Sequence, residues 1–189
     1  MTVGLYIFDM GGVVSRGTDV APLIAERLGI SREELLRLSQ PELEGLQAGK
    51  VSPAELWERF SERSGIRVTE ELWGHFFKPR LDPDVVVLIR ELGSRGRVVC
   101  GTNTIEPHYD IHLALGDYSC FSAVYASHLI GLVKPDPAFF LHILEAEGVE
   151  ASEAFFTDDV AANVDAARRL GIDSVLFTGA KALRAHLFR

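Results

Sequence analysis

Apolar residues fall along this chain in two rhythms. Val3-Gly4-Leu5-Tyr6-Ile7-Phe8 is a short continuous apolar run that ends at Asp9 and is followed at once by Gly11-Gly12, the pattern of a buried strand whose chain then turns sharply. From Thr18 to about Lys78 the spacing becomes helical: Val20, Leu23, Ile24 and Leu28, then Leu35, Leu36 and Leu38, then Leu56, Trp57 and Phe60, then Leu72, Trp73, Phe76 and Phe77. Ser31 with Glu34, and Ser52-Pro53 with Glu55, mark helix starts, whereas Gly29, Gly49 and Gly65 can end helices. Past Lys78-Pro79-Arg80-Leu81-Asp82-Pro83 the rhythm alternates between helix and strand. Strands are predicted at 97–101, 122–126, 154–157 and 174–177, with helices at about 83–92, 107–115, 137–147 and 160–170.

The predicted architecture is therefore α/β: a Rossmann-like parallel sheet sandwiched by helices, formed by residues 1–16 and 80–189. An inserted helical bundle spans 17–79 and interrupts the sheet between its first and second strands. The 189 residues, 47% of them hydrophobic, suffice for a sizeable core. With 19 basic and 27 acidic residues the formal charge is -8, which repels a phosphate backbone or an anionic lipid surface, so neither nucleic acid nor membrane is an expected partner. Only two cysteines, Cys100 and Cys120, are present, too few for a disulfide framework, and a reducing compartment suits them. The apolar N-terminal run is broken by Asp9 and has no basic residue ahead of it, unlike a signal peptide, so a cytoplasmic location is expected. Nothing in the pattern specifies an oligomeric state.

Open parallel sheets bind ligands at the carboxyl ends of their strands. The polar residues at those exits are Asp9, Thr102-Asn103 and Asp158-Asp159, with Lys134 in the loop after the third strand. Two like charges about 4 Å apart cost about 4 kcal/mol at an effective dielectric of about 20, so Asp9, Asp158 and Asp159 need cations if they converge. Lys134 supplies one charge and a hard divalent ion two more. Oxygen-only ligands with room for water and phosphate suit Mg²⁺. In that constellation Asp9 is the candidate nucleophile for an in-line displacement, and the Thr102 hydroxyl and Asn103 amide are candidate phosphate ligands.

These residues match a known family. Tyr6-Ile7-Phe8-Asp9-Met10-Gly11-Gly12-Val13-Val14 resembles motif one of the haloacid dehalogenase superfamily, and Val98-Val99-Cys100-Gly101-Thr102-Asn103 resembles motif two. Lys134-Pro135-Asp136-Pro137 resembles motif three, and Phe155-Phe156-Thr157-Asp158-Asp159, with Asn163, Ala166, Ala167, Leu170 and Gly171, resembles motif four. The resemblance covers the whole chain, and the helical insertion is similar to the four-helix cap of the family's first class. It implies an Mg²⁺-dependent phosphatase acting on a small phosphorylated metabolite, sugar phosphates among the candidates. By the same resemblance Asp9 is the nucleophile, Thr102 and Asn103 bind phosphate, and Lys134 steadies both. Asp158 and Asp159 hold the metal together with Asp9 and the backbone carbonyl of residue 11.

The family's phosphatases usually carry a second aspartate at the position of Gly11, which protonates the leaving oxygen; such a group is worth roughly 10²–10⁴-fold in rate. Its absence leaves two alternatives open: a 2-haloacid dehalogenase that uses Asp9 without metal, and a catalytically weak phosphate-binding module. A left-handed glycine at 11 would also make its replacement by aspartate costly. Elsewhere plainer roles are expected. His108 and His112 lack the intervening glutamate and third ligand of a zinc site. Trp57, Trp73, Phe76 and Phe77 read as the core of the helical segment, Asn163 as a support for the motif-four loop, and Ser15 and Arg16 as residues near the substrate.

Overall fold

A computed structural model describes residues 3–188. The five predicted sheet strands are present as β1 (Leu5–Phe8), β4 (Arg97–Thr102), β5 (Ala123–Ala126), β6 (Ala154–Asp158) and β7 (Asp173–Leu176). They form one parallel sheet in the order β5-β4-β1-β6-β7, with Leu5 to Phe8 paired to Arg97 to Cys100 on one side and to Ala154 to Thr157 on the other. A central strand covered on both faces must be apolar at every position, which is why Leu5-Tyr6-Ile7-Phe8 reads as a run and not as an alternation.

Side chains of a strand point alternately to opposite faces, and the two cores follow this rule. Tyr6 and Phe8 pack with Phe155 and with Val85, Leu88, Ile89 and Leu92 of α5 (Pro83–Leu92), beside Leu183 of α10 (Ala180–Leu187). Leu5, Ile7 and Phe156 pack on the other face against Phe139, Phe140 and Ile143 of α8 (Pro137–Glu147), and Val164, Ala166 and Ala167 of α9 (Ala161–Arg169). The strand order places the two halves of the sheet on opposite sides of β1. The carboxyl ends of β4, β1 and β6 therefore meet where the order reverses.

Between the first two sheet strands run α1 (Ala21–Leu28), α2 (Arg32–Gln47), α3 (Pro53–Ser64) and α4 (Leu72–Phe76), around a core of Ile24, Leu35, Leu56, Phe60 and Trp73. Ser52 and Glu55 form a complete capping box, Ser31 accepts from the Glu34 N–H, and Gly29 and Gly65 end their helices in the left-handed conformation. Helix α2 continues through Pro41, further than the apolar pattern indicates. Apart from two short 3₁₀ turns at Asp117–Cys120 and Ala151–Glu153, three features have no counterpart in the predicted elements. Short helix α7 (Ser127–Ile130) and helix α10 are two of them. The third is an antiparallel ribbon of β2 (Ser15–Arg16) and β3 (Arg80–Leu81), which joins the helical segment to the sheet. Strands of two residues are too short to show a period. Among the described residues, no helix is long and apolar enough to cross a membrane.

Candidate active site

Asp9 stands directly after β1, its N–H donating to the Thr157 carbonyl at 3.0 Å, so the sheet itself fixes where the carboxylate begins. Lys134 reaches it from the loop ahead of α8. Its ammonium donates to Asp9 Oδ1 at 2.7 Å, Asp158 Oδ2 at 2.7 Å and the Gly101 carbonyl at 2.8 Å, which uses all three of its donors. Gly101 packs closely there: an added Cβ would lie 2.9 Å from Ile7 Cγ2 and 3.0 Å from Ile143 Cδ1. Asp158 is fully buried; its Oδ1 accepts from the Val160 N–H at 2.8 Å and its Oδ2 also from the Asn163 amide at 3.0 Å. The expected support role of Asn163 is thus a direct hydrogen bond. Gly12 is left-handed, with φ +78°, and a Cβ there would lie 2.1 Å from Asp159 Oδ2; the bare backbone lets that carboxylate approach.

Asn103 and Lys134 exchange two hydrogen bonds: the Asn103 amide donates to the Lys134 carbonyl and its oxygen accepts from the Lys134 N–H, each at 2.8 Å. Much of the Asn103 side chain is therefore spent on holding the lysine loop. The Thr102 hydroxyl is buried, with only a 3.5 Å contact to the Asn103 carbonyl. All seven site residues singled out in the sequence (Asp9, Gly11, Thr102, Asn103, Lys134, Asp158 and Asp159) line one cavity of about 390 Å³. Gly11 is not left-handed, and the atom nearest to an added Cβ is Thr18 Oγ1 at 3.7 Å. The expected conformational barrier to aspartate is absent there; it belongs to the neighbouring Gly12.

Burial raises the Asp9 carboxyl, Lys134 draws it back, and Asp158 and Asp159 raise it further, leaving it at about 6. Asp159 is raised by burial and by Asp158. For Lys134 burial acts to lower the pKa, but Asp9 and Asp158 outweigh it and hold the ammonium above its ordinary value. Three carboxylates against one ammonium leave a site that is short of positive charge. Each carboxylate offers an oxygen within 4.8 Å of the others, and among the described residues Asp9, Asp158 and Asp159 are the one group with this geometry. A hard divalent cation with oxygen ligands fits both the charge and the donors. The histidines are occupied otherwise. His108 donates from Nε2 to the Trp73 carbonyl at 3.1 Å and stacks on Phe77 at 3.8 Å, and His112 donates from Nδ1 to Asp117 at 2.7 Å.

Residues 3–171 match the model of the haloacid dehalogenase-like hydrolase family. The chain belongs to that family. It is 28% identical over 186 residues to a sesquiterpene phosphatase from Aspergillus oryzae, an alignment covering 93% of this chain and 90% of that protein. It is also 28% identical over 159 residues to a drimenol cyclase from Aspergillus calidoustus, covering 78% of this chain and 30% of that protein. Among solved structures, a haloacid dehalogenase family enzyme from Bacteroides thetaiotaomicron, in complex with magnesium and inorganic phosphate, superposes with a TM-score of 0.80 at 23% identity, covering 99% of this chain and 100% of that one. The hydrolase fold expected from the four motifs is the fold observed.

Other parts of this hydrolase's cavity escaped the sequence. Leu43, Leu46, Ile105, His108, His112 and Tyr118 line it, as do Trp73 and Phe77, which serve the helical core as well. The spacing of Ile105, His108 and His112 on α6 (Glu106–Leu115) and its N-terminal flank is a usable signal, since i, i+3 and i+7 share one helix face. Ser15 and Arg16, expected near substrate, are absent from the lining: Ser15 is buried in the ribbon, and Arg16 pairs with Asp82 at 3.1 Å across it.

Proposed function

We propose that this hydrolase is an Mg²⁺-dependent phosphatase that cleaves a small organic phosphate through an aspartyl phosphate on Asp9. The observation that carries the reading is the Lys134 ammonium bonded to both Asp9 and Asp158, with Asp159 close by, at the base of a cavity large enough for an organic molecule. Mg²⁺ bound by Asp9, Asp158, Asp159 and the Gly11 carbonyl would neutralise charge on the phosphoryl oxygens. Lys134 occupies Asp9 Oδ1, which leaves Oδ2 as the attacking atom. That oxygen forms the bond to phosphorus as the ester oxygen departs with its electron pair. The Thr102 hydroxyl and the remaining amide hydrogen of Asn103 hold phosphoryl oxygens, and Asn103 also keeps the lysine loop in register. Water then attacks the acyl phosphate, releasing inorganic phosphate and restoring Asp9. With glycine at position 11 no side chain there protonates the leaving oxygen, so esters of acidic alcohols react fastest. The helical segment 17–79 acts as the cap that excludes water from the reacting centre. The phosphatase name of the Aspergillus oryzae relative and the magnesium and phosphate in the Bacteroides structure support this chemistry. The two cysteines are free thiols, and a cytoplasmic setting suits them.

The test is a panel of phosphate esters assayed with Mg²⁺ and with EDTA, and 2-chloropropionate assayed for halide release. Phosphate release that depends on Mg²⁺ is the expected result. Halide release that persists in EDTA, without phosphate release from any ester, would replace the reading with dehalogenation. Phosphate binding without turnover of any ester would reduce the protein to a binding module.

A further inference from the structure

The cavity is charged at one end only. Around Asp9 its groups are charged or hydrogen-bonding, whereas the opposite wall is built by Leu43 and Leu46 of α2, Trp73 of α4, Phe77, and Ile105 at the entrance to α6. Leu46, Trp73, Phe77 and Ile105 are each at least nine-tenths buried. Of the polar side chains on this side, His108 Nε2 is spent on the Trp73 carbonyl and His112 Nδ1 on Asp117, while Gln47 of α2 lines the cavity beside Leu46. Burial moreover holds His108 down at about 4, so it presents a neutral ring. Of the residues that line the cavity, Trp73 and Tyr118 bury a donor without a partner, Nε1 and the hydroxyl. A sugar phosphate carries a hydroxyl on nearly every carbon, and most of those placed against this wall would lose their water without gaining a partner. A hydrocarbon group loses nothing there and gains from leaving water.

We infer that the organic group of the substrate is apolar: the enzyme takes the phosphate monoester of a hydrophobic alcohol, with Leu43, Leu46, Trp73, Phe77 and Ile105 as its specificity wall. This rests on the phosphatase reading and names its substrate class. The cavity, of about 390 Å³, is in the size range of small-molecule sites. On this wall Gln47, beside Leu46, is left to meet a polar atom of that group. The sugar phosphates that the motifs alone leave among the candidates are thereby disfavoured.

Two measurements on the whole protein test this. With Mg²⁺ present, kcat/KM for octyl phosphate and geranyl phosphate is expected to exceed that for glucose 6-phosphate and glycerol 3-phosphate by tenfold or more, most of it in KM. Leu43→Gln and Leu46→Asn, checked for folding by circular dichroism, should shrink that ratio at least fivefold. Separately, octylphosphonate, which cannot be hydrolysed, should bind the wild-type protein at least tenfold more tightly than inorganic phosphate in calorimetry. Equal or better turnover of the sugar phosphates overturns the inference and leaves the phosphatase reading standing. Octylphosphonate that binds no more tightly than inorganic phosphate overturns it whatever the turnover. Tight octylphosphonate binding with no ester hydrolysed supports the apolar wall and sinks the phosphatase reading instead.

Discussion

The floor and the wall of the cavity are built on opposite plans. On the floor, Asp9, Lys134 and Asp158 sit at strand ends or in a loop clamped to one, and every side chain has named partners: three for the Lys134 ammonium, three for the Asp158 carboxylate. The wall comes mostly from helices α2 and α4, attached to the sheet through the two-residue strands β2 and β3, with Ile105 and His108 added from the start of α6, and its contacts are mainly those of apolar packing. Charges at fixed distances tolerate no displacement, because their effect depends on position to a fraction of an ångström. Apolar contacts are non-directional and tolerate substitution if volume is kept. On the proposed reading, the chemistry is tied to the sheet and the choice of substrate largely to helices outside it.

Breaking the floor should have the largest effects. Asp9→Asn is nearly isosteric but is a poor nucleophile, so kcat for p-nitrophenyl phosphate should fall roughly 10⁴-fold or more while the far-ultraviolet circular dichroism stays unchanged. Retained turnover would place the attack elsewhere. Lys134→Ala leaves Asp9 and Asp158 buried without their cation, and loss of one partner of a buried ion pair costs about 3–5 kcal/mol. Urea denaturation in EDTA should show a loss of that size, and Mg²⁺ should recover part of it. No change in the midpoint would mean that the pair contributes nothing.

On the wall, His108 provides a pH test. Its folded pKa of about 4 lies below the ordinary value of 6.5, so between those two pH values the unfolded chain binds more protons than the folded one. Stability held above pH 6.5 is then lost as the pH falls toward 4, by roughly 3 kcal/mol for 2.5 pK units at about 1.36 kcal/mol each. Asp9, raised to about 6, contributes with the opposite sign over part of this range, so the readout is a difference between proteins. His108→Gln should lose less stability than wild type between pH 7 and pH 4.5, and parallel curves would show that His108 is not depressed.

The two glycines after the nucleophile separate space from chemistry. Gly12→Ala forces a Cβ into Asp159 and a left-handed backbone on alanine, and should lower kcat by about tenfold or more through the displaced carboxylate, at about 1–2 kcal/mol of backbone cost. Gly11→Asp meets neither obstacle. It should raise kcat for alkyl phosphates by up to about 10²-fold and change aryl phosphates less, since their leaving groups need little protonation. Equal gains for both would show that position 11 does not act on the leaving oxygen. The smallest effect belongs to the ribbon: Arg16 is half-exposed in its pair with Asp82, and Arg16→Ala should cost less than about 1 kcal/mol in thermal unfolding.

The strands were readable because β1, β4 and β6 are covered on both faces and so appear as apolar runs, and because the polar residues at their exits stand out against them. The floor followed from the rule that parallel sheets carry ligands at their carboxyl ends. The ribbon was not readable at two residues per strand, and α7 is a single turn whose residues carry too little pattern to be recognised. Leu43, Leu46, Trp73 and Phe77 look like any residues of a helical core. Helical spacing of apolar residues tells that a helix has an apolar face, but not which part of that face meets another helix and which part meets a cavity.

By itself, then, the amino-acid order determined the family, the parallel sheet and the residues that gather at the charged end of the cavity, because strand burial and the short loops that follow it are local properties written in adjacent positions. Only the tertiary structure decided that Asn103 clamps the Lys134 loop, that Gly12 and not Gly11 is the strained position, and that the far side of the cavity is a hydrocarbon wall with its histidines already bonded. Each of these depends on the distance between atoms of residues far apart in the chain, such as Asn103 and Lys134 or Gly12 and Asp159. Those distances are set by the packing of whole elements, which no local pattern records.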